Sequence, residues 1–312
     1  GKLLGDASTR QYFRILTDKT SYVASVETAS NVNNEKKDFF VIQEILREES
    51  VRVPRIFDRC DDVGYVLQED LGDMTLLKRF SHIDNLQEEY KLLEKAIDVI
   101  IQIHNIDKSK YVNYDCFNRY FDKDKLMYEV MFSVKHFIGG FLGYAIDDKI
   151  EKDVIGSFDE ICSLLSEQKM ILTHRDYHSR NIMIKNNELV LIDFQDARMG
   201  IPQYDLVSLL EDCYYKVNDE NVDKLKKYYW GNCLQRECMQ KSYVDFEYYY
   251  NLMSLQRIFK AIGSFSYFVV ERNDNRYLKY IGFALEKFKE ILLRSSKYNR
   301  LRKTIYSLYY EN

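Results

Sequence analysis

Two polar clusters separated by a short β-hairpin, inside a stretch otherwise patterned as helix, constrain this chain more than any other feature. The first cluster is Thr173-His174-Arg175-Asp176-Tyr177-His178-Ser179-Arg180-Asn181, and the second is Asp193-Phe194-Gln195-Asp196. Between them, Ile182 to Lys185 and Leu189 to Ile192 are apolar runs flanking Asn186-Asn187-Glu188, which reads as a hairpin with a tight Asn-containing turn. A hairpin turns the chain back on itself, so the two clusters are expected to meet. Upstream, Leu92, Leu93, Ala96, Val99, Ile100 and Ile103 recur at helical spacing in a helix ending near His104. Helical patterns also run from Asp122 to Phe137, from Asp147 to Gln168, and through nearly everything after Pro202.

The N-terminal part has a different texture. Tyr12 to Leu16 and Tyr22 to Val26 are β-branched and aromatic, separated by the polar turn Thr17-Asp18-Lys19-Thr20. A charged helix from Glu35 to Glu49 follows, with Phe39, Phe40, Ile42, Ile45 and Leu46 on its apolar side. Pro54 stops helical structure, and Arg55 to Arg59 and Gly64 to Gln68 read as two more strands. Strand pair, helix, strand pair makes a small lobe ahead of a helical body, so the expected fold class is α+β. With 12 Gly and 2 Pro in 312 residues, the chain is poor in helix breakers and suited to long helices.

Charge and cysteine usage exclude several classes. A formal charge of −4 argues against a nucleic-acid binder. The longest near-apolar run, Phe137 to Ile146, is too short to span a bilayer, which needs about 20 residues. The first residues show no charged-then-apolar pattern, and the six scattered cysteines are expected to form neither paired zinc ligands nor a disulfide framework. They are expected to be reduced core thiols in a cytoplasmic protein. His82, His104 and His136 show no metal spacing and are expected at the surface or at helix ends, and the tyrosine runs are read as core or rim.

An Asp followed five positions later by an Asn, then an Asp at the end of a hairpin, is an arrangement that suits phosphoryl transfer. One carboxylate, Asp176, accepts or orients the proton of an attacking hydroxyl. An amide oxygen, Asn181, and a second carboxylate, Asp193, supply hard oxygen ligands for magnesium against nucleotide phosphates. His174 is read as a loop-bracing donor rather than a base. No Walker-type loop, dinucleotide fingerprint or nucleophile elbow competes with this reading. Asp205 follows Asp193 within twelve positions, leaving little platform for a peptide, so the acceptor is expected to be small.

With these residues in place, the chain resembles the aminoglycoside phosphotransferase and choline kinase superfamily, and within it the bacterial anomeric kinases of N-acetylmuramate and N-acetylglucosamine. The matching stretches are Gly5 to Arg14, Leu67-Gln68-Glu69-Asp70-Leu71-Gly72, the two polar clusters, Gly200, Pro202, Tyr204 to Asp212, and Gln256-Arg257, Lys260 and Gly263. The resemblance implies a two-lobed protein-kinase-like fold. Residues 1–72 would form a small β-rich nucleotide-binding N-lobe and residues 73–312 a larger helical C-lobe with the catalytic loop and acceptor site. It also implies ATP and magnesium as cofactors, with Asp176 as base and Asn181 and Asp193 on the metal. The Glu69-Asp70-Leu71 hinge would take adenine, and Ser8, Thr9 and Arg10 would cover the phosphates. Asp205 would brace the catalytic loop.

One departure stands out. Kinase-like folds place a Lys on the third strand for the α- and β-phosphates, and Tyr22 to Glu27 contains none, with Ser25 about where it would be. Arg10, Arg14 or metal ions alone would then carry that charge. From Met199 to Asn312 there are 18 Lys and Arg against 14 Asp and Glu, a balance that favours a neutral or anionic acceptor such as an N-acetyl amino sugar over a polycation. Asp196, Glu211, Gln256 and Arg257 are the candidate acceptor contacts, chosen as polar residues in apolar or motif contexts. An aminoglycoside or choline-type kinase, and a catalytically silent nucleotide-binding module, are the alternatives.

Overall fold

The structure is a computed structural model and describes residues 2–3, 11–26, 34–60 and 64–311. A five-stranded antiparallel sheet opens the chain, from β1 (Lys2–Leu3), β2 (Gln11–Leu16), β3 (Ser21–Val26), β4 (Ile56–Cys60) and β5 (Tyr65–Glu69), in the order β1-β2-β3-β5-β4. Thr17 and Thr20 close the β2–β3 turn with three hydrogen bonds: the Thr20 carbonyl accepts from the Thr17 N–H and hydroxyl, and the Thr20 N–H donates to that hydroxyl. Helix α1 (Asn34–Glu48) lies between β3 and β4 in the chain and buries Ile42, Ile45 and Leu46, which share one face at helical spacing. Its C-terminus is closed by Ser50 at φ 63°, with Val51 N–H on the Leu46 carbonyl at 2.8 Å and Ser50 N–H on the Arg47 carbonyl at 3.1 Å. That is the left-handed helix stop usually built with glycine.

The remainder is mainly helical: α2 (Leu76–Phe80), α3 (Leu86–His104), α4 (Lys123–Ser133), α5 (Asp148–Ile150) and α6 (Gly156–Ser166) precede the β island. After it come α7 (Gln203–Leu210), α8 (Asp219–Cys233), the central α9 (Tyr243–Arg272), α10 (Leu278–Leu293) and α11 (Asn299–Tyr310). Asn85 caps α3 by accepting the Glu88 N–H, and Leu93, Ala96, Ile97, Ile100 and Ile103 form its buried face. The helices expected as unbroken runs from Asp122 and Asp147 are interrupted. Wide turns with i→i+5 geometry follow α4 at Val134–Phe141 and precede α6 at Glu151–Ile155.

The β island holds two antiparallel pairs where the sequence indicates one. β7 (Ile182–Lys185) and β8 (Glu188–Leu191) form the expected hairpin, and β6 (Ile171–Thr173) pairs with β9 (Arg198–Gly200) outside it. Asn186 and Asn187 both have positive φ, 52° and 65°, as a two-residue primed turn requires. His104 stands at a helix end as expected, though buried, and His136 is buried within the wide turn after α4, contrary to the expectation of a surface or helix-end position. His104 ends α3 against Tyr229, and His136 packs between Phe132 and Tyr267. All six cysteines are free. Among the described residues, no helix is long and apolar enough to cross a membrane.

Candidate active site

The first polar cluster is a loop held open from below. Asp205, fully buried near the start of α7, accepts the backbone N–H of His174 at 2.7 Å and of Arg175 at 3.0 Å. His104 Nε2 lies 3.4 Å from the same carboxylate, and burial holds that imidazole below its usual pKa. Two backbone donors from consecutive residues fix Arg175 at φ 80°, a conformation a non-glycine residue keeps only when its surroundings impose it. Tyr177 anchors the loop to α3 through its hydroxyl on the Ala96 carbonyl at 2.8 Å. Asp212 ties the far end down, accepting the Ser179 N–H at 2.9 Å and the Tyr214 N–H at 2.8 Å.

Asp176 therefore projects from a rigid loop into a ring of cations. Its Oδ1 accepts Arg257 at 3.1 Å and Lys260 at 3.3 Å, both from α9. Its Oδ2 lies 3.9 Å from Arg175 and accepts no hydrogen bond among the described residues. Burial alone would raise the Asp176 carboxyl, but Lys260, Arg175 and Arg257 outweigh it and hold the group well below the ordinary carboxylate range. Lys260 moves in the opposite sense. Burial first, and then the neighbouring Arg257, push its ammonium down to about 8 despite Asp176.

The hairpin delivers the other two oxygen-bearing side chains. Ile192 N–H bonds the Asn181 carbonyl at 3.1 Å, so the two ends of the hairpin lie side by side. Asn181 Nδ2 then donates to the Asp176 backbone carbonyl at 3.0 Å and to Asp193 Oδ2 at 3.1 Å. Asp193 has φ 64°, and its other oxygen accepts Gln195 at 2.7 Å. Among the described residues, the hydrogen-bond partners of the Asp193 carboxylate are these two neutral amides, and none of the described Lys or Arg pairs with it.

The remaining candidate residues divide by position. Arg257 touches Asp176, while Asp196 pairs with Arg175 at 2.6 Å and with Arg198 at 3.5 Å on the same side of the loop. Gln256 is buried and turns to α4, donating to Glu129 at 3.2 Å. Glu211 lies in a separate cluster with Lys287 at 3.4 Å and the Tyr250 hydroxyl at 3.1 Å. Glu69 binds Arg52 at 2.6 Å and Lys185 at 2.9 Å, and Leu71 packs with Met183 and Val190 beneath the hairpin. His174 braces through its backbone, its ring edge-on to Tyr177. Ser8, Thr9 and Arg10 lie outside the described residues. Arg14, one alternative for the phosphates, forms salt bridges to Asp70 at 2.8 Å and Asp73 at 2.9 Å.

Sequence reasoning assigned no role to Lys260, Arg175, Glu129 or Asp212. Glu129 is buried on α4, 3.7 Å from Arg175, and Lys260 and Arg175 hold its carboxyl below normal against burial. The signal that was available is spacing: Arg257 and Lys260 are three apart on α9 and share a face.

A small antiparallel lobe over a helical body, with an Asp–Asn–Asp set gathered by a hairpin, defines a kinase-like phosphotransferase. The family described as "Phosphotransferase enzyme family" (APH) matches residues 2–239, and this chain belongs to it. The N-acetylmuramate/N-acetylglucosamine kinase of Pseudomonas aeruginosa is 29% identical over 278 residues, 88% of this chain and 78% of that one. The kinase of the same name from Neisseria meningitidis is 24% identical over 273 residues, 87% and 79% of the two chains. Among solved structures, the ADP-bound aminoglycoside phosphotransferase APH(2'')-Ib aligns with a TM-score of 0.61 at 19% identity, covering 96% of this chain and 93% of that one. The choline kinase of Streptococcus pneumoniae aligns with a TM-score of 0.62 at 13% identity, covering 92% of each. At these identities the structural likenesses establish the fold.

Proposed function

We propose that this enzyme transfers the γ-phosphoryl group of ATP, with magnesium, to the anomeric hydroxyl of an N-acetyl amino sugar. The observation that carries the reading is Asp176 itself: one oxygen saturated by Arg257 and Lys260, the other left for an acceptor hydroxyl. A carboxylate held this far below its usual range is a weak base. It orients a hydroxyl and takes its proton late, as a loose phosphoryl-transfer transition state allows. An anomeric hydroxyl is more acidic than other sugar hydroxyls, because the ring oxygen withdraws charge from the same carbon, and so matches a weak base best.

Magnesium fits the donor set. Asn181 uses its amide nitrogen on Asp176 and Asp193, and its carbonyl oxygen and the Asp193 carboxylate are the hard oxygen donors that would hold the ion. The bound ion would neutralise charge on the nucleotide phosphates. Ser8, Thr9 and Arg10 would cover those phosphates, and the Glu69–Leu71 backbone would take adenine. The relatives' names support an amino-sugar acceptor. So does the pairing of Asp176, Asp196 and Glu129 with Lys and Arg, which leaves none of these carboxylates for a cationic acceptor. A reaction drawing on ATP, with six free thiols in the protein, suits the cytoplasm.

The test is ATP consumption with N-acetylmuramate, N-acetylglucosamine, choline and kanamycin-type acceptors side by side. Turnover with the N-acetyl sugars is expected. Turnover only with choline or kanamycin would replace the reading. Nucleotide binding without turnover on any acceptor would favour a silent module, the reading that Ser25 in place of a strand lysine suggests.

A further inference from the structure

A groove of about 690 Å³ adjoins the catalytic loop, bounded by α2, the loop after α7 and α10. Its apolar wall is aromatic: Tyr214, Tyr280 and Phe283, with Tyr214 edge-on to Tyr280 at 4.9 Å between ring centres. Its rim carries Lys78, Lys216 and Lys279, and no Asp or Glu is among the described residues that line it. Lys216 is partly neutralised by Glu290 at 3.5 Å and Asp219 at 4.0 Å. Lys78 and Lys279 form no ion pair within 4 Å among the described residues, although the Lys78 charge helps hold the Asp73 carboxyl below its usual range, and Lys279 lies 4.9 Å above the Tyr280 ring.

Both walls are fastened to the loop that carries Asp176. The Leu77 N–H at the start of α2 bonds the Ser179 carbonyl at 3.0 Å. Asp212 joins Ser179 to Tyr214 through its two oxygens. The Tyr214 ring lies 5.2 Å from the His178 ring, and the His178 N–H bonds the Asp176 carbonyl at 3.0 Å. The groove walls are therefore joined by hydrogen bonds and ring contact to the loop that bears Asp176.

We infer that this groove is the acceptor subsite for a sugar bearing a carboxylate, with the aromatic wall against a C–H face of the ring and Lys78 and Lys279 on the carboxylate. The chemistry follows from the lining. An aromatic face covers the apolar side of a pyranose, and unpaired ammonium groups select an anion and repel a polycation. N-acetylmuramate carries such a carboxylate on its lactyl ether and N-acetylglucosamine does not, so the groove decides between the two. The inference rests on the amino-sugar reading above.

The experiment compares wild type with the double variant Lys78→Ala/Lys279→Ala, measuring kcat/KM for both sugars and KM for ATP. The expected result is a fall of about tenfold in the ratio of kcat/KM for N-acetylmuramate to that for N-acetylglucosamine, the scale of one to two lost charge contacts. The wild-type ratio should also fall with added salt, and the variant's much less. Lys279→Arg, with Lys78 intact, should keep the wild-type ratio. An unchanged ratio in the double variant, with both sugars still turned over, overturns the groove assignment and leaves the amino-sugar reading standing. A rise confined to the ATP KM makes the groove a nucleotide contact and overturns the assignment too. Wild-type turnover of neither sugar removes the amino-sugar reading and the subsite with it.

Discussion

At the scale of single residues, the proposed chemistry turns on how Asp176 is surrounded. Asp176→Asn keeps the volume and removes the proposed proton acceptor, so turnover should fall by about 10²–10⁴-fold with an unchanged near-ultraviolet dichroism spectrum. Steady-state kinetics with retained wild-type rates would take Asp176 out of the reaction. Lys260 gives a second, directional expectation. Its ammonium is held at about 8, so raising the pH through that value removes a cation beside Asp176. The kcat/KM profile should fall on its alkaline side near pH 8, and Lys260→Arg, which does not titrate there, should move that limb upward by at least one unit. Asp176 stays ionised through mild acid, because its carboxyl is held low, and it contributes no acid limb between about pH 5 and 7. Asp176, Asn181 and Asp193 stand out in sequence because their types and spacing carry the pattern. Lys260 and Arg175 do not, since a buried Lys and a solvated Lys read the same in one chain.

At the scale of elements, the hairpin was legible and its frame was not. Asn186-Asn187 announces a tight turn, whereas β6 and β9 have three residues each, too few to show alternation, and both border polar clusters. The wide turns after α4 and before α6 escaped for a related reason. One or two turns of slightly different pitch bury nearly the same residues as an α-helix. The α4–α9 crossing carries its own expectation. A side-chain carbon placed on Gly263 would overlap both the backbone and the side chain of Ser133. Gly263→Ala should therefore destabilise the fold by about 3 kcal/mol, and because Lys260 lies one turn away on α9 it should also lower turnover at temperatures below unfolding. Denaturant unfolding with an unchanged midpoint would show that the two helices can separate at no cost.

At the scale of the whole molecule, helix α1 of the N-terminal lobe and the helical body share one core. Ile42, Ile45 and Leu46 of α1 belong to the same buried cluster as Ile258 of α9 and Ile305 of α11. Asp38 pairs with Arg119 at 2.8 Å, Phe39 stacks on Phe194 at 5.1 Å, and the Leu191 N–H bonds the Arg52 carbonyl at 2.9 Å. We propose that residues 1–72 and 73–312 are lobes by function and one unit in folding. Calorimetry of the unliganded chain should then show a single transition, and two resolved transitions would separate the lobes. The start of the helical body is legible in the change of texture from Leu86 onward, but the core it shares with α1 is not, because the apolar face of α1 says only that it packs, not on what.

The central claim, that Asp176 directs a phosphoryl group onto an anomeric oxygen, is tested most directly by the structure of the product. Wild-type enzyme incubated with ATP, magnesium and N-acetylglucosamine should yield a phosphate ester whose phosphorus couples to the anomeric proton in NMR, and Asp176→Asn should yield almost none. An ester on any other carbon, or equal product from the variant, would contradict it.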